Sequence, residues 1–151
     1  MANTQAMTTS FKGELLTATH NFGVAPVRAA TTADTFKAAL YLTTATINAA
    51  TTAYTATGEV TGTNYSAGGV AVTNATVPAT SGTTAYWTPS ASITYTNVTL
   101  TTAFDAVLIY NSTQSNKAVS VHTFGSQVVT AGTFTLTMPT NDASTGLIRI
   151  A

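Results

Sequence analysis

The chain has no cysteine and very little charge. Without thiols, disulfide bonds, thiolate zinc sites and cysteine nucleophiles are excluded. Charged residues make up 7% of the chain, against about 25% in ordinary soluble domains, and the five basic and five acidic side chains cancel. Because a free monomer with so little net charge tends to associate, we expect the protein to work inside an assembly.

Several partner classes are disfavoured by what is missing. The cations are scattered and cannot form the basic stripe that a phosphate backbone needs, so we expect no nucleic-acid partner. These cations are Lys12, Arg28, Lys37, Lys117 and Arg149. No run approaches the ~20 apolar residues of a transmembrane helix, so we expect no membrane partner. The first ten residues, MANTQAMTTS, lack the basic and apolar regions of a secretion signal, which favours synthesis in the cytoplasm.

Threonine is abundant instead, at about a quarter of the chain, and its branched side chain suits a half-exposed strand. The longest apolar run, residues 103–110, is followed by the polar turn segment 111–116. This pattern predicts a central strand that is buried on both faces. Residues 117–124 and 132–138 alternate apolar and polar side chains, which predicts neighbouring strands with one buried face.

Further short strands are expected along the chain, separated by turn residues. They cover residues 34–42, 52–60 (an edge strand), 70–77, 83–87, 91–100, 127–130 and 146–150. Ala131 and Gly132 are expected to form a hairpin-like break. About eight to ten strands with turn signals every ~8–12 residues predict an all-β fold, a two-sheet antiparallel sandwich. The pattern leaves a jelly-roll-like and an immunoglobulin-like sandwich open.

The N-terminal segment differs from this body, and we predict that residues 1–33 form a separate unit before a sandwich domain at 34–151. Residues 1–10 are interpreted as a flexible arm, 11–22 as a short helix and 24–33 as an extended connector. Four apolar residues near helical spacing are candidate subunit contacts that order on binding a neighbour. They are Phe11, Leu15, Leu16 and Phe22.

Residues that could carry chemistry are few and dispersed. His20 and His122 are far apart in the sequence, and we expect an exposed or interface imidazole at His122 rather than a catalytic one. Asp105 interrupts the apolar run and should accept backbone or hydroxyl hydrogen bonds. Glu59 and Asp142 are expected to be solvated. We therefore predict no catalytic residues, no metal site and no cofactor, and a protein that is not an enzyme.

Two local patterns have a functional and a structural interpretation. The glycine-rich stretch 62–69 lacks the Lys-Ser/Thr ending and the following helix of a phosphate loop, which favours turns. Five aromatic residues could line a sugar-binding platform, but in sandwiches such residues more often lie in the core or at subunit interfaces. These residues are Tyr54, Tyr65, Tyr86, Trp87 and Tyr95.

Short segments along the chain resemble small virion proteins of tailed bacteriophages. In the first half they are FKGELL (11–16), HNF (20–22), DTFKAALY (34–41), GEV (58–60) and YSAGG (65–69). In the second half they are AVLIYN (106–111), FG (124–125), TAGTF (130–134), MPTND (138–142) and IRI (148–150). These are packing and turn residues, not catalytic signatures.

The resemblance implies a capsid decoration or cement protein on the virion surface, made in the host cytoplasm. Such proteins are often trimers with a jelly-roll-like fold, so the expected partners are the major capsid protein and further copies of the chain. One alternative is a tail, collar or fibre component of the virion. Another, from a different class, is a carbohydrate-binding or host-adhesion module that uses Tyr86 and Trp87.

Overall fold

The computed structural model describes residues 3–8, 11, 15, 19–20, 22, 33–74, 76, 78–82 and 84–150. The strands are β1 (Ala6–Met7), β2 (Phe36–Leu42), β3 (Val70–Val72), β4 (Ala79–Ser81), β5 (Thr84–Trp87), β6 (Ile93–Asn111), β7 (Lys117–Leu136) and β8 (Ile148–Ile150). Across these described ranges, no helix has the length and apolar character needed to span a membrane.

The strands form two antiparallel sheets, which confirms the predicted all-β sandwich. One sheet has five strands in the order β1-β7-β6-β2-β3, and the other has three in the order β4-β5-β8. Side chains of both sheets share one apolar core: Phe36 of β2 and Val107 of β6 belong to the same cluster as Trp87 of β5 and Ile148 of β8. The core therefore lies between the sheets.

Strand β6 is the centre of the larger sheet, as its apolar run predicts. It pairs with β2 from Phe36↔Asn111 to Leu42↔Phe104 and with β7 along its other side. Val107 and Ile109 face the core between the sheets, whereas Leu108 faces a second apolar cluster. Both faces of β6 are buried over residues 106–111, which confirms the prediction for this part of the apolar run.

The second face is covered by a long loop, residues 43–69, rather than by another sheet. Ala45 and Ile47 of this loop are buried against Tyr41 and Leu108. The strand expected at 52–60 is not observed; this stretch makes only isolated bridges to β2 and β7. Instead, the loop closes the side of β2 beyond β3 through two backbone hydrogen bonds. Val60 N–H donates to Leu40 O (3.0 Å), and Leu42 N–H donates to Gly58 O (2.9 Å).

The glycine-rich part of this loop forms turns, in agreement with the structural interpretation. Gly69 has a φ of 71°, and a Cβ there would overlap the carbonyl group of Ala38 in β2. Gly62 approaches the carbonyl oxygen of Thr99 in β6 in the same way. Glycine is needed at these two positions because the loop backbone lies directly against strand backbone.

Strands β6 and β7 form one long ribbon, where several shorter strands were expected. The separate strands expected at 91–100 and 103–110 merge into β6, and three expected strands merge into β7. The hairpin-like break at Ala131 is wrong. The pairing moves from Val98↔Gly132 to Leu100↔Val129, which leaves an extra residue in β7, and Ala131 takes a φ of 46°. This is a β-bulge, and the strand continues through it.

The N-terminal stretch is partly integrated into the sandwich. Residues 3–8 were expected to be a flexible arm, but β1 pairs with β7 through Ala6↔Val121 and Met7↔Ser120. The helix expected at 11–22 is not seen as a continuous element in the described residues. Phe11 and Leu15 have helical backbone, and the residues between them lie outside the described ranges. The expected connector at 24–33 also lies outside them, apart from Ala33.

Candidate functional site

The most developed polar site surrounds Glu59, which was expected to be solvated. That expectation is wrong, because Glu59 is 7% exposed. Its Oε1 accepts hydrogen bonds from Tyr65 OH (2.8 Å) and from the backbone N–H of Gly68 (2.7 Å). Its Oε2 accepts one from Tyr54 OH at 2.6 Å. Three short hydrogen bonds thus stabilise a carboxylate that burial alone would disfavour.

Further tyrosines complete this site, which we call the Glu59 cluster: Tyr41, Tyr54, Glu59, Tyr65, Gly68 and Tyr110. Tyr41 OH donates to Thr55 O (2.6 Å), and Tyr110 OH donates to Gly68 O (2.8 Å). The ring of Tyr110 also stacks on Tyr54, with centroids 4.9 Å apart. The cluster joins the loop 43–69 to β2 and β6.

The tyrosine hydroxyls of the Glu59 cluster are held in their protonated form. Burial first, then the hydrogen bond to Glu59 and its negative charge, raises the pKa of Tyr54 to about 12. Burial is also the main cause that raises the pKa of Tyr41, Tyr65 and Tyr110. Protonated hydroxyls remain hydrogen-bond donors at neutral pH, so the carboxylate keeps its partners.

The hydrogen bonds of the Glu59 cluster join the loop 43–69 to the larger sheet. Both carboxylate oxygens of Glu59 already accept hydrogen bonds, and Tyr65 OH in turn accepts from the backbone N–H of Leu40 at 3.0 Å. A general base needs an oxygen that can reach a substrate proton. In Glu59, that capacity is used to hold the loop against the sheet.

A second buried polar group lies at the end of β6. Asn111 Nδ2 is 2.8 Å from Asp34 Oδ2 and 3.0 Å from His20 Nδ1, and all three residues are buried. Asn111 Oδ1 also accepts from the backbone N–H groups of Thr113 and Gln114. The amide therefore fixes the β6–β7 turn and ties His20 to the sheet.

His122, expected to be an exposed or interface imidazole, is partly buried in its own chain, and an interface role stays a prediction. Burial lowers the pKa of its ring to about 4. Its Nε2 lies 2.8 Å from Ser120 Oγ, but Ser120 is 1% exposed, so a substrate carbonyl cannot reach this hydroxyl. His122 borders a small apolar cavity of about 130 Å³ whose lining includes Val107 and Met138.

Two further described acids have hydrogen-bond partners within the fold. Asp105 Oδ1 accepts a hydrogen bond from Asn3 Nδ2 at 2.6 Å, so its donor is a side-chain amide and not the predicted backbone or hydroxyl group. Asp142 lies in a turn, where hydrogen bonds from Thr145 and from the backbone N–H of Ser144 lower the pKa of its carboxyl. Among the described residues, no group of three potential metal ligands occurs.

The aromatic residues do not form an exposed platform. Trp87 is 2% exposed and Tyr95 is 1% exposed. Trp87 Nε1 donates to Thr76 O at 2.9 Å, and its ring contacts Phe36 and Phe22 in the core. Tyr54 and Tyr65 point into the Glu59 cluster. Trp87 and Tyr95 thus lie in the core, whereas Tyr86 on β5 is only partly buried.

The candidate subunit contacts have different surroundings. Phe11 and Phe22 are buried in the core of their own chain, and Phe11 also makes an edge contact with His20. Leu15 is partly buried against the same core, and Leu16 lies outside the described residues. A role in contacting another subunit stays a prediction for this set.

Sequence reasoning missed the Glu59 cluster, although a signal was present. Glu59 lies beside Val60, with Tyr54 five residues before it and Tyr65 six residues after it. An acid next to an apolar residue and between two tyrosines fits a buried carboxylate with hydroxyl donors. Tyr41 and Tyr110 could not be assigned to it without the strand pairing.

Comparisons of the chain with protein-family models, curated proteins and solved structures find no match. The likeness to phage virion proteins rests on the segments given above.

Proposed function

We propose that this chain is a non-enzymatic structural protein of a virus particle. In this role it decorates or cements the capsid by binding the major capsid protein and further copies of itself. The observation that carries the proposal is that buried polar side chains form hydrogen bonds within the fold. Glu59, Asp34 and Asn111 are all buried and hydrogen-bonded within the fold, so they support architecture rather than turnover.

The low charge of the chain supports the same role. With 7% charged residues and no net charge, the chain has little means of electrostatic steering and would bind a lattice by shape and hydrogen bonds. Threonine hydroxyls on exposed strand faces, such as those of Thr94 and Thr135, provide such hydrogen bonds. Contacts of this kind tolerate salt.

The test is to locate the chain in purified particles by electron microscopy and to count its copies. A decoration protein is expected in hundreds of copies that follow the symmetry of the shell. A dozen or fewer copies at one vertex would move the protein to the neck, tail or fibre. Absence from particles would overturn the virion role and return attention to host adhesion.

A second measurement uses the low charge. Particles washed at about 50 mM and about 500 mM salt should retain the same amount of the chain, because few ion pairs can be screened. Loss of most copies at the higher salt would contradict binding by shape and neutral hydrogen bonds.

A further inference from the structure

The outer edge of strand β7 is long and lacks a neighbouring strand. Strand β1 covers β7 only at Ser120 and Val121. From residue 123 to residue 136, β7 pairs with β6 on one side. Within the described part of the chain, no strand pairs with its other side. We call residues 123–136 the β7 edge.

Other edges of the two sheets are short or covered. Strands β3, β4 and β8 have three residues each, and β1 has two. The side of β2 beyond β3 is closed by the loop 43–69, through Val60 and Gly58 and through Tyr65 OH. Among the described residues, the open part of β2 is thus covered, whereas the longer β7 edge has no paired strand.

The β7 edge also lacks the side chains that keep edges apart. Residues 123–136 contain no Asp, Glu, Lys, Arg or Pro, and neither do the facing residues 93–104 of β6. Lysine and proline are the residues with which monomeric sheets usually prevent edge pairing. The side chain of Val128, on this edge, is 56% exposed. Two large apolar side chains are exposed among the described residues, and Val128 has the higher exposed fraction.

The bulges of β7 restrict where a new strand can pair. Pairing with β6 is irregular around residues 124–126 and at Ala131. Beyond Ala131 one more irregularity occurs, between Val98↔Gly132 and Tyr95↔Phe134, but its extra residue lies in β6 and not in β7. The pairing is then regular through Tyr95↔Phe134, Thr94↔Thr135 and Ile93↔Leu136. Residues 132–136 therefore offer an extended, uninterrupted stretch for backbone hydrogen bonds.

We infer that the β7 edge is a self-association surface on which residues 132–136 of a second copy pair antiparallel with the same residues. Two observations favour this occupant. Among the described edges of this chain, only an identical β7 edge matches in length. Because both edges are uncharged, two copies meet without repulsion, and a two-fold axis makes the surface self-complementary. This contact gives a dimer, in contrast to the trimer that the resemblance favours, and it does not depend on the virion role.

The first test is the mass of the intact protein in solution, measured by sedimentation over a range of concentrations. A dimer is expected. A protein that is monomeric at all concentrations, or that forms a trimer, would overturn the two-fold pairing.

Two lysine variants then locate the contact. Thr94 and Thr135 are exposed, directly opposite each other, and have their Oγ1 atoms 3.5 Å apart, but only Thr135 lies on the edge strand. T135K would bring like charges together across the axis and is expected to raise the dimer Kd at least about fivefold. T94K, one strand further from the axis, is the matched control and should leave Kd nearly unchanged. Equal effects of the two variants would contradict the proposal.

Amide hydrogen exchange of the unmodified protein gives a test that needs no variant. Dilution below the dimer Kd should speed exchange in residues 132–136 and leave β2 unchanged, because only the former hydrogen bonds are intermolecular. Concentration-independent exchange in 132–136 would overturn the pairing, even if a dimer forms by another surface.

Discussion

Glu59 shows how one buried side chain can organise a loop that has little regular structure. Its three donors come from different parts of the segment: Tyr54 before it, Tyr65 and Gly68 after it. Because each donor is neutral and protonated, the carboxylate is stabilised by hydrogen bonds rather than by an ion pair. The loop that covers one face of the larger sheet is thereby held in one conformation.

Replacing this carboxylate should weaken the fold measurably. We expect E59Q to reduce the free energy of unfolding by about 2–3 kcal/mol, because an amide accepts fewer of the three hydrogen bonds and brings unwanted donors. Urea unfolding followed by Trp87 fluorescence measures this. Y86F is the control, since Tyr86 does not belong to the cluster.

A double variant tests the hydrogen bond between Glu59 and Tyr65. E59Q and Y65F together should reduce the free energy of unfolding by less than the sum of the single changes. Strict additivity would contradict a shared hydrogen bond.

His122 should make stability depend on pH in the mildly acidic range. Its folded-state pKa of about 4 lies below the ordinary value of about 6.5, so the fold favours the neutral ring. The contribution of the neutral ring to the free energy of unfolding is therefore fully present above about pH 6.5, and it decreases as the pH falls towards about 4. The loss attributable to this residue is at most about 3 kcal/mol.

Two measurements check this. The NMR titration of the His122 ring should have its midpoint near pH 4, and H122Q should flatten the dependence of unfolding free energy on pH between 6.5 and 4. His20 is present in both proteins, so the difference between them reports His122. A ring that titrates near 6.5 would contradict the burial described here.

At the level of elements, the sequence predicted the buried segments of strands better than it predicted where strands begin and end. The runs at 34–42 and 103–110 revealed β2 and the buried part of β6, because consecutive or alternating apolar residues have a direct physical cause. The sequence divides β7 at Ala131 and Gly132 because small residues there predict a turn, whereas in the structure Ala131 takes a positive φ within a continuous strand. A bulge and a turn use the same local conformation, and only long-range pairing distinguishes them.

The bulge at Ala131 gives an element-scale prediction. With a φ of 46°, Ala131 occupies a region that glycine enters without steric cost. A131G should therefore raise the free energy of unfolding by about 0.5–1 kcal/mol, although glycine usually weakens strands. A103G in β6, where φ is not positive, is the control and should destabilise by a similar amount. Destabilisation by A131G would indicate that the residue is not in the left-handed region.

For the whole molecule, the N-terminal segment and the sandwich share one core. Phe22 stacks on Phe36 of β2 at 4.9 Å and contacts Trp87 of β5, and Phe11 makes an edge contact with Phe22. Asn3 is also bound to Leu42 and Asp105. Composition could suggest a difference between residues 1–33 and the rest, but not that aromatic residues of the first part complete the core of the second.

This arrangement predicts the effect of removing Phe11. Because its side chain is 0% exposed, F11A should reduce the free energy of unfolding by about 3–5 kcal/mol, even in dilute monomer. L15A, at a partly buried position, is the comparison and should cost less. If F11A instead changed only self-association or particle binding, Phe11 would be a subunit contact as the sequence suggested, and its burial in the monomer would be wrong.

The pairing of β5 with β8 has a consequence for protein synthesis. Ala85, Tyr86 and Trp87 have their partners at Ile150, Arg149 and Ile148, more than sixty positions further along the chain. A nascent chain cannot close the smaller sheet until the ribosome has passed residue 150 and released that segment from its tunnel. Chains that terminate early therefore lack the strand that covers Trp87.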